Sequence, residues 1–156
     1  MKGDGSGWID CTCGAKHWGP FGAGGLLVFA HENEQTWILM QHRALWSHHG
    51  GTWGIPGGAR DSHETVQEAA LREAHEETGL NPADVHVLSQ VEVRHGDWMY
   101  ATVIARSMHR LSLTLSEESI ALEWIPIDDV HKRELHPGFS KSWPALKTEV
   151  MRAVTA

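Results

Sequence analysis

Apolar and polar positions divide the chain into short, well-separated segments. Residues 25–30, GLLVFA, form a continuous apolar run, the pattern of a strand buried on both faces. A polar stretch, HENEQ, precedes TWILMQHR at 36–43, and the two runs predict a hairpin. In TWGIPGG, residues 52–58, a short strand is stopped by Pro56 and the paired Gly57 and Gly58. Residues 64–78, ETVQEAALREAHEET, hold good helix formers without Gly or Pro, and Gly79 stands where a C-terminal cap belongs. NPADVHVLSQVEVR at 81–94 and WMYATVIARSM at 98–108 predict two strands joined by a tight HGD turn, and LEWIPIDDV at 122–130 a shorter one. SWPALKTEVMRAV predicts an amphipathic helix from near Ser142, with Pro144 in its first turn. Residues 1–19, rich in Gly and polar side chains, read as an extended arm or loop. The order β, β, β, α, β, β, β, α is that of an α/β protein. The absence of repeats, low-complexity tracts and long linkers makes 20–156 a single domain.

The helical phase of 64–78 singles out REAHEETGL. At about 100° per residue from Glu73, residues Ala69, Val66, Ala70 and Ala74 span an arc from about 320° to about 100°. Glu77 falls inside that arc and Glu76 at its edge, whereas Glu68, Arg72 and His75 fall on the opposite side. Carboxylates spaced i, i+3, i+4 repel one another by a few tenths of a kcal/mol per pair. Partly desolvated, they either bind protons or hold a cation. Hard oxygen donors with no cysteine nearby favour Mg²⁺ or Mn²⁺ over zinc.

Charge and composition narrow the partners. A net charge of -7 argues against non-specific binding to nucleic acid or anionic membrane, which needs a basic patch. It leaves open a small phosphorylated substrate whose charge a metal ion neutralises. No apolar run approaches the roughly 18 residues of a membrane span, and the N-terminus lacks a signal-like apolar segment; a cytoplasmic protein is expected. The only cysteines, Cys11 and Cys13, are too few for a disulfide framework. With His17 they could supply three zinc ligands, His48 or His49 being candidates for the fourth; the alternative is a reduced, packed arm. In the His- and Trp-rich stretch 42–58, Trp46, Trp53 and His48 lie just before the helix, where an aromatic ring could stack on a nucleobase. Arg43 and Arg94 are candidate phosphate partners. Trp37, Trp98 and Trp124 lie on predicted strands and are expected in the core.

Residues 58–80, GARDSHETVQEAALREAHEETGL, resemble the signature of the Nudix hydrolases. Gly58, Glu64, Arg72, Glu73, Glu76, Glu77 and Gly79 fill its fixed positions, and Ala74 and Leu80 its apolar ones. The likeness extends through WGIPGG and EESIALEWIPIDDV, covering about residues 20–130. Ala74 is small for its slot, and His63 stands where many members have Gly. The resemblance implies an α/β/α sandwich, a mixed sheet between helices. It also implies hydrolysis of a nucleoside diphosphate linked to another moiety, by water attack on phosphorus with one to three Mg²⁺ or Mn²⁺ ions. It makes Glu73, Glu76 and Glu77 metal ligands, assisted by Glu64 and a carbonyl of the Gly57–Gly58 turn, and makes Arg72 their orienting partner. The general base is then Glu76 or Glu118, the latter on a later loop before Trp124. Homodimers are common in the family. Two other readings are a catalytically silent nucleotide sensor, which need not keep this complete box, and an isomerase, for which no cysteine lies near the site. Nucleotides, nucleotide sugars, dinucleoside polyphosphates and oxidised nucleoside triphosphates all remain possible substrates.

Overall fold

The run GLLVFA forms the middle of the sheet. The computed structural model describes residues 4–10, 16–47, 49–117 and 119–156. Its strands are β1 (Trp8–Asp10), β2 (Lys16–Trp18), β3 (Ala23–Glu32), β4 (Gln35–Arg43), β5 (Trp53–Gly54), β6 (Gly57–Ala59), β7 (Val85–His95), β8 (Trp98–Ser107) and β9 (Ser119–Pro126). The helices are α1 (Val66–Thr78) and α2 (Pro137–Thr155), with short 3₁₀ turns at Pro82–Asp84 and Ile127–Lys132.

β3 and β4 form the expected hairpin. Asn33 and Glu34 at its tip have φ of 53° and 64°, the double positive φ that a tight two-residue turn demands. The pair is hydrogen-bonded only from Phe29/Ile38 to Glu32/Gln35; further along, β4 pairs with β5 and β3 with β6. WGIPGG, expected as one short strand, is thus split in two and fills the fork. β3 also runs parallel to β8, which pairs antiparallel with β7, and β9 lies antiparallel to β4.

Side-chain alternation sends the two faces of β3 to different helices. Leu26 and Val28 join Leu39, Val103 and Ala105 against Ala70, Ala74 and Leu80 on the α1 side. Leu27 and Phe29 join Ile38, Met40, Ile104 and Ile125 against Phe139, Trp143, Leu146 and Val150 of α2. A mixed sheet between helices, an α/β/α sandwich, is the result.

Three boundaries differ from the sequence expectation. α1 starts at Val66, because Thr65 caps it by accepting the Glu68 N–H while the Glu68 carboxylate accepts the Thr65 N–H; Glu64 therefore precedes the helix. α2 starts at Pro137 rather than near Ser142, with His136 as cap, so Pro144 lies inside the helix. The burial of Phe139 and Trp143 offsets the poor helix propensity of Gly138 and Pro144. The arm, read as extended, contains an antiparallel ribbon: β1 pairs with β2, and the Trp8 and Trp18 rings meet edge-to-face at 5.4 Å. Trp98 is buried as expected, but Trp37 and Trp124 are only half-buried. No described helix is long and apolar enough to cross a membrane.

Candidate active site

Glycines bring the box residues onto the sheet. A Cβ on Gly57 would lie 2.5 Å from the Gly24 carbonyl oxygen, and one on Gly58 would lie 2.5 Å from Cδ of Glu73. The Glu73 carboxylate therefore rests directly on the backbone of β6. From the next turn of α1, Glu77 accepts the Gly57 N–H at 2.9 Å.

Arg72 gathers the acidic groups. Its Nε donates to Glu64 Oε2 at 2.7 Å and its Nη2 to Glu64 Oε1 at 2.9 Å, a two-pronged pair. Nη1 donates to Glu73 Oε1 at 2.9 Å and more weakly to Glu76 at 3.4 Å, while Nη2 also reaches the Ala59 carbonyl at 3.1 Å. The Cα of Arg72 is on the helix side opposite the apolar arc, but its long side chain folds back over the loop. Hydrogen bonding to Glu64 raises Arg72 above the ordinary guanidinium range. The same guanidinium holds Glu64 below the usual carboxylate range, against burial, which opposes the shift.

Both oxygens of the Glu64 carboxylate are hydrogen-bonded: besides Arg72, its Oε1 accepts the Asp61 N–H at 3.0 Å. Asp61, His63 and Glu64 bring possible ligand atoms within 4.8 Å of one another, an acidic and His cluster able to hold a metal. Asp61 is itself committed to the Gly5 N–H at 2.9 Å.

Beside this cluster a cleft of about 310 Å³ is lined by Trp46, Glu73, Glu76, Glu77, Ser116 and Glu117. Glu77 is buried, at 7% exposure, whereas the Glu76 side chain is 55% exposed. Trp46 is 71% exposed. Glu73 and Glu76 share the Arg72 guanidinium, whereas Glu77 is held by the Gly57 N–H, and the oxygens of all three suit a hard divalent cation. On the sheet face opposite α1, the Tyr100 hydroxyl approaches Gly25 so closely that a Cβ there would lie 2.1 Å from it. Burial and then the Glu77 charge push the Tyr100 phenol up to about 12, with Arg43 opposing. The phenol is thus neutral at physiological pH, and Arg43 lies within electrostatic reach of it.

Of the residues predicted from sequence, the cleft brings together Trp46, Glu73, Glu76 and Glu77, with Gly58 behind them; Arg72 and Glu64 form the adjoining pair. Arg94 is elsewhere, exposed on β7 and paired with Glu92 at 3.3 Å. His17 stacks on Trp98 at 4.2 Å, and burial followed by the charge of His95 holds it below the ordinary imidazole range. Cys11, Cys13, His48 and Glu118 lie outside the described residues. Sequence reasoning missed Asp61, Tyr100, Ser116 and Glu117. Tyr100 left one signal: it is the sole tyrosine, on a predicted strand. Asp61 left none, since the motif accepts any residue there.

Comparison with known proteins agrees with this geometry. The family model for the NUDIX domain matches residues 22–146. A Mycobacterium tuberculosis protein named "Putative 8-oxo-dGTP diphosphatase 3" is 46% identical over 155 residues, covering 95% of this chain and 71% of the relative. A Bifidobacterium longum nucleoside triphosphate pyrophosphatase/Nudix hydrolase fusion protein is 42% identical over 97% of this chain, which spans 33% of that protein. The crystal structure of a Nudix hydrolase from M. smegmatis, RenU, superposes with a TM-score of 0.88 at 44% identity, covering 96% of this chain and 97% of the other.

Proposed function

The chain belongs to the Nudix family as a metal-dependent hydrolase of phosphoanhydride bonds in nucleotide-linked substrates, and we propose that its substrate is an oxidised purine nucleoside triphosphate, cleaved with Mg²⁺ or Mn²⁺ to the monophosphate and pyrophosphate. The observation that carries the reading is the glutamate cleft: Glu73, Glu76 and Glu77 line one cavity with the exposed Trp46 ring. The choice of substrate draws on the name of the mycobacterial relative, which is nearly half identical over most of this chain.

Glu73, Glu76 and Glu77 would hold the cation, which supplies charge neutralisation on the phosphates and a lowered pKa for the attacking water. The Gly57 N–H fixes the Glu77 carboxylate, and Arg72 holds Glu73 against the Gly58 backbone. Glu64 serves chiefly to anchor Arg72, both of its oxygens being engaged there. The proton of the attacking water goes to Glu76, the box glutamate most open to solvent, or to Glu118. Trp46, on the rim of the cleft, would stack on the base, and Arg43, on β4, would reach the phosphates.

Incubation of a nucleotide and nucleotide-sugar library, 8-oxo-dGTP included, with Mg²⁺ or Mn²⁺ tests the reading by mass spectrometry. Oxidised purine triphosphates are expected to be consumed fastest. Glu77→Gln is expected to lose at least about a hundredfold in kcat, since the charge stabilisation of the step depends on it. Equal turnover by wild type and Glu77→Gln would refute the metal assignment, and ligand binding without turnover would make the protein a sensor.

A further inference from the structure

The N-terminal arm reaches the box from outside the motif. Asp4 accepts the Ser62 N–H at 2.8 Å and also the Ser62 hydroxyl. The adjacent Gly5 is buried and donates its N–H to Asp61 Oδ1 at 2.9 Å. A Cβ on Gly5 would lie 2.1 Å from the Arg60 carbonyl oxygen, so the backbone of the arm is seated on the 60–62 turn as closely as glycine permits. Arg60 secures the turn from the other side, donating to the Phe21 carbonyl at 2.9 Å and the Glu64 carbonyl at 2.6 Å.

Asp61 is the hinge of this seat. It is 8% exposed, an expensive place for a carboxylate unless it is paired. Its N–H donates to Glu64 Oε1 at 3.0 Å and its Oδ2 stands 3.8 Å from Arg72 Nη2.

We propose that Asp61, held by the Gly5 amide of the arm, is a positioning residue for the hydrolytic reaction: it fixes the Glu64–Arg72 pair so that Arg72 presents Glu73 and Glu76 to the divalent cation. The arm is then part of the framework of the active site. This inference rests on the reading of Glu73, Glu76 and Glu77 as cation ligands.

Full-length Asp61→Ala, Asp61→Asn, Asp4→Ala and Glu77→Gln, each with its thermal transition recorded, test the inference by calorimetric titration with Mn²⁺ alone and by the KM–kcat split. Asp61→Ala is expected to weaken Mn²⁺ binding about tenfold and to lower kcat similarly, the usual consequence of losing a residue that orients a metal ligand. At saturating Mn²⁺ the nucleotide KM is expected to stay within about twofold, because Asp61 does not line the cleft. Asp61→Asn recovers most of the Mn²⁺ affinity, since its side-chain oxygen still accepts the Gly5 N–H. Asp4→Ala, at an exposed position, weakens Mn²⁺ binding by about two- to threefold, and carries the test if Asp61→Ala does not fold. Wild-type Mn²⁺ affinity in a folded Asp61→Ala, or in Asp4→Ala where that is the only folded variant, overturns the inference. If Glu77→Gln loses Mn²⁺ affinity in the same series, the cation site stands and this inference alone has failed. If Glu77→Gln binds Mn²⁺ as the wild type does, the cation reading itself has failed.

Discussion

Gly57 and Gly58 are neighbours with different jobs. A Cβ on Gly57 would strike the Gly24 carbonyl, a main-chain atom of the central strand, at 2.5 Å. On Gly58 it would strike the far end of the Glu73 side chain, which can swing away. Gly58→Ala is therefore expected to unfold within about 1 kcal/mol of the wild type, yet to bind Mn²⁺ and turn over about tenfold more weakly because Glu73 is displaced. Chemical denaturation beside Mn²⁺ titration separates the two effects; a stability loss with unchanged Mn²⁺ affinity would refute the assignment of Glu73. Arg72, Glu73, Glu76 and Glu77 were legible in the sequence because spacing on a helix fixes which side chains can meet, and Gly58 and Glu64, which lie ahead of the helix, because they fill fixed letters of the box. Asp61 and Tyr100 were not legible, because the groups they meet, Gly5 of the arm for Asp61 and Gly25 of β3 for Tyr100, come from distant parts of the chain.

Among the elements, α1 was the most legible because its signals are local. Thr65 and Glu68 form its capping box, and Gly79 closes it with φ of 73°. Thr65→Ala removes the acceptor for the Glu68 N–H and is expected to cost about 1 kcal/mol. Urea denaturation measures that cost, and Mn²⁺ affinity in native buffer should not change, since Thr65 is exposed and is not among the residues that line the cleft. A parallel fall in Mn²⁺ affinity would mean that the register of the helix depends on its first turn. α2 was misread for the opposite reason. Ser142 followed by Pro144 looks like a helix start, whereas the true start uses His136 and Pro137, and Phe139, Trp143, Leu146 and Val150 hold the helix on the sheet. Burial against the sheet outweighs local propensity there. The fork occupied by β5 and β6 is equally non-local, since it depends on where β3 and β4 cease to pair.

At the scale of the whole molecule, the sandwich followed from the resemblance, but the way the arm joins it did not. Among the described residues, two fastenings of the ribbon stand out. One is the Asp4–Gly5 seat; the other is Trp98, whose Nε1 donates to the Gly19 carbonyl at 2.8 Å and whose ring carries the stacked His17, with His95 at 5.1 Å from His17. Burial and the neighbouring charge of His95 hold His17 below its ordinary value of 6.5. The folded state therefore resists protonation that the unfolded chain accepts. The stabilisation is fully present above about pH 6.5 and is lost as the pH falls through the lowered folded value. Hydrogen exchange of the ribbon amides is expected to accelerate, relative to the core of β3, as the pH is lowered from 7.5 to about 5, after correction for the intrinsic pH dependence of exchange. His17→Phe keeps the stacking and removes the charge, and should flatten that dependence. If the ribbon is also what steadies Asp61, the acid weakening of Mn²⁺ binding will be shallower in His17→Phe than in the wild type. Identical Mn²⁺ curves alongside different exchange curves would show the two fastenings to be independent.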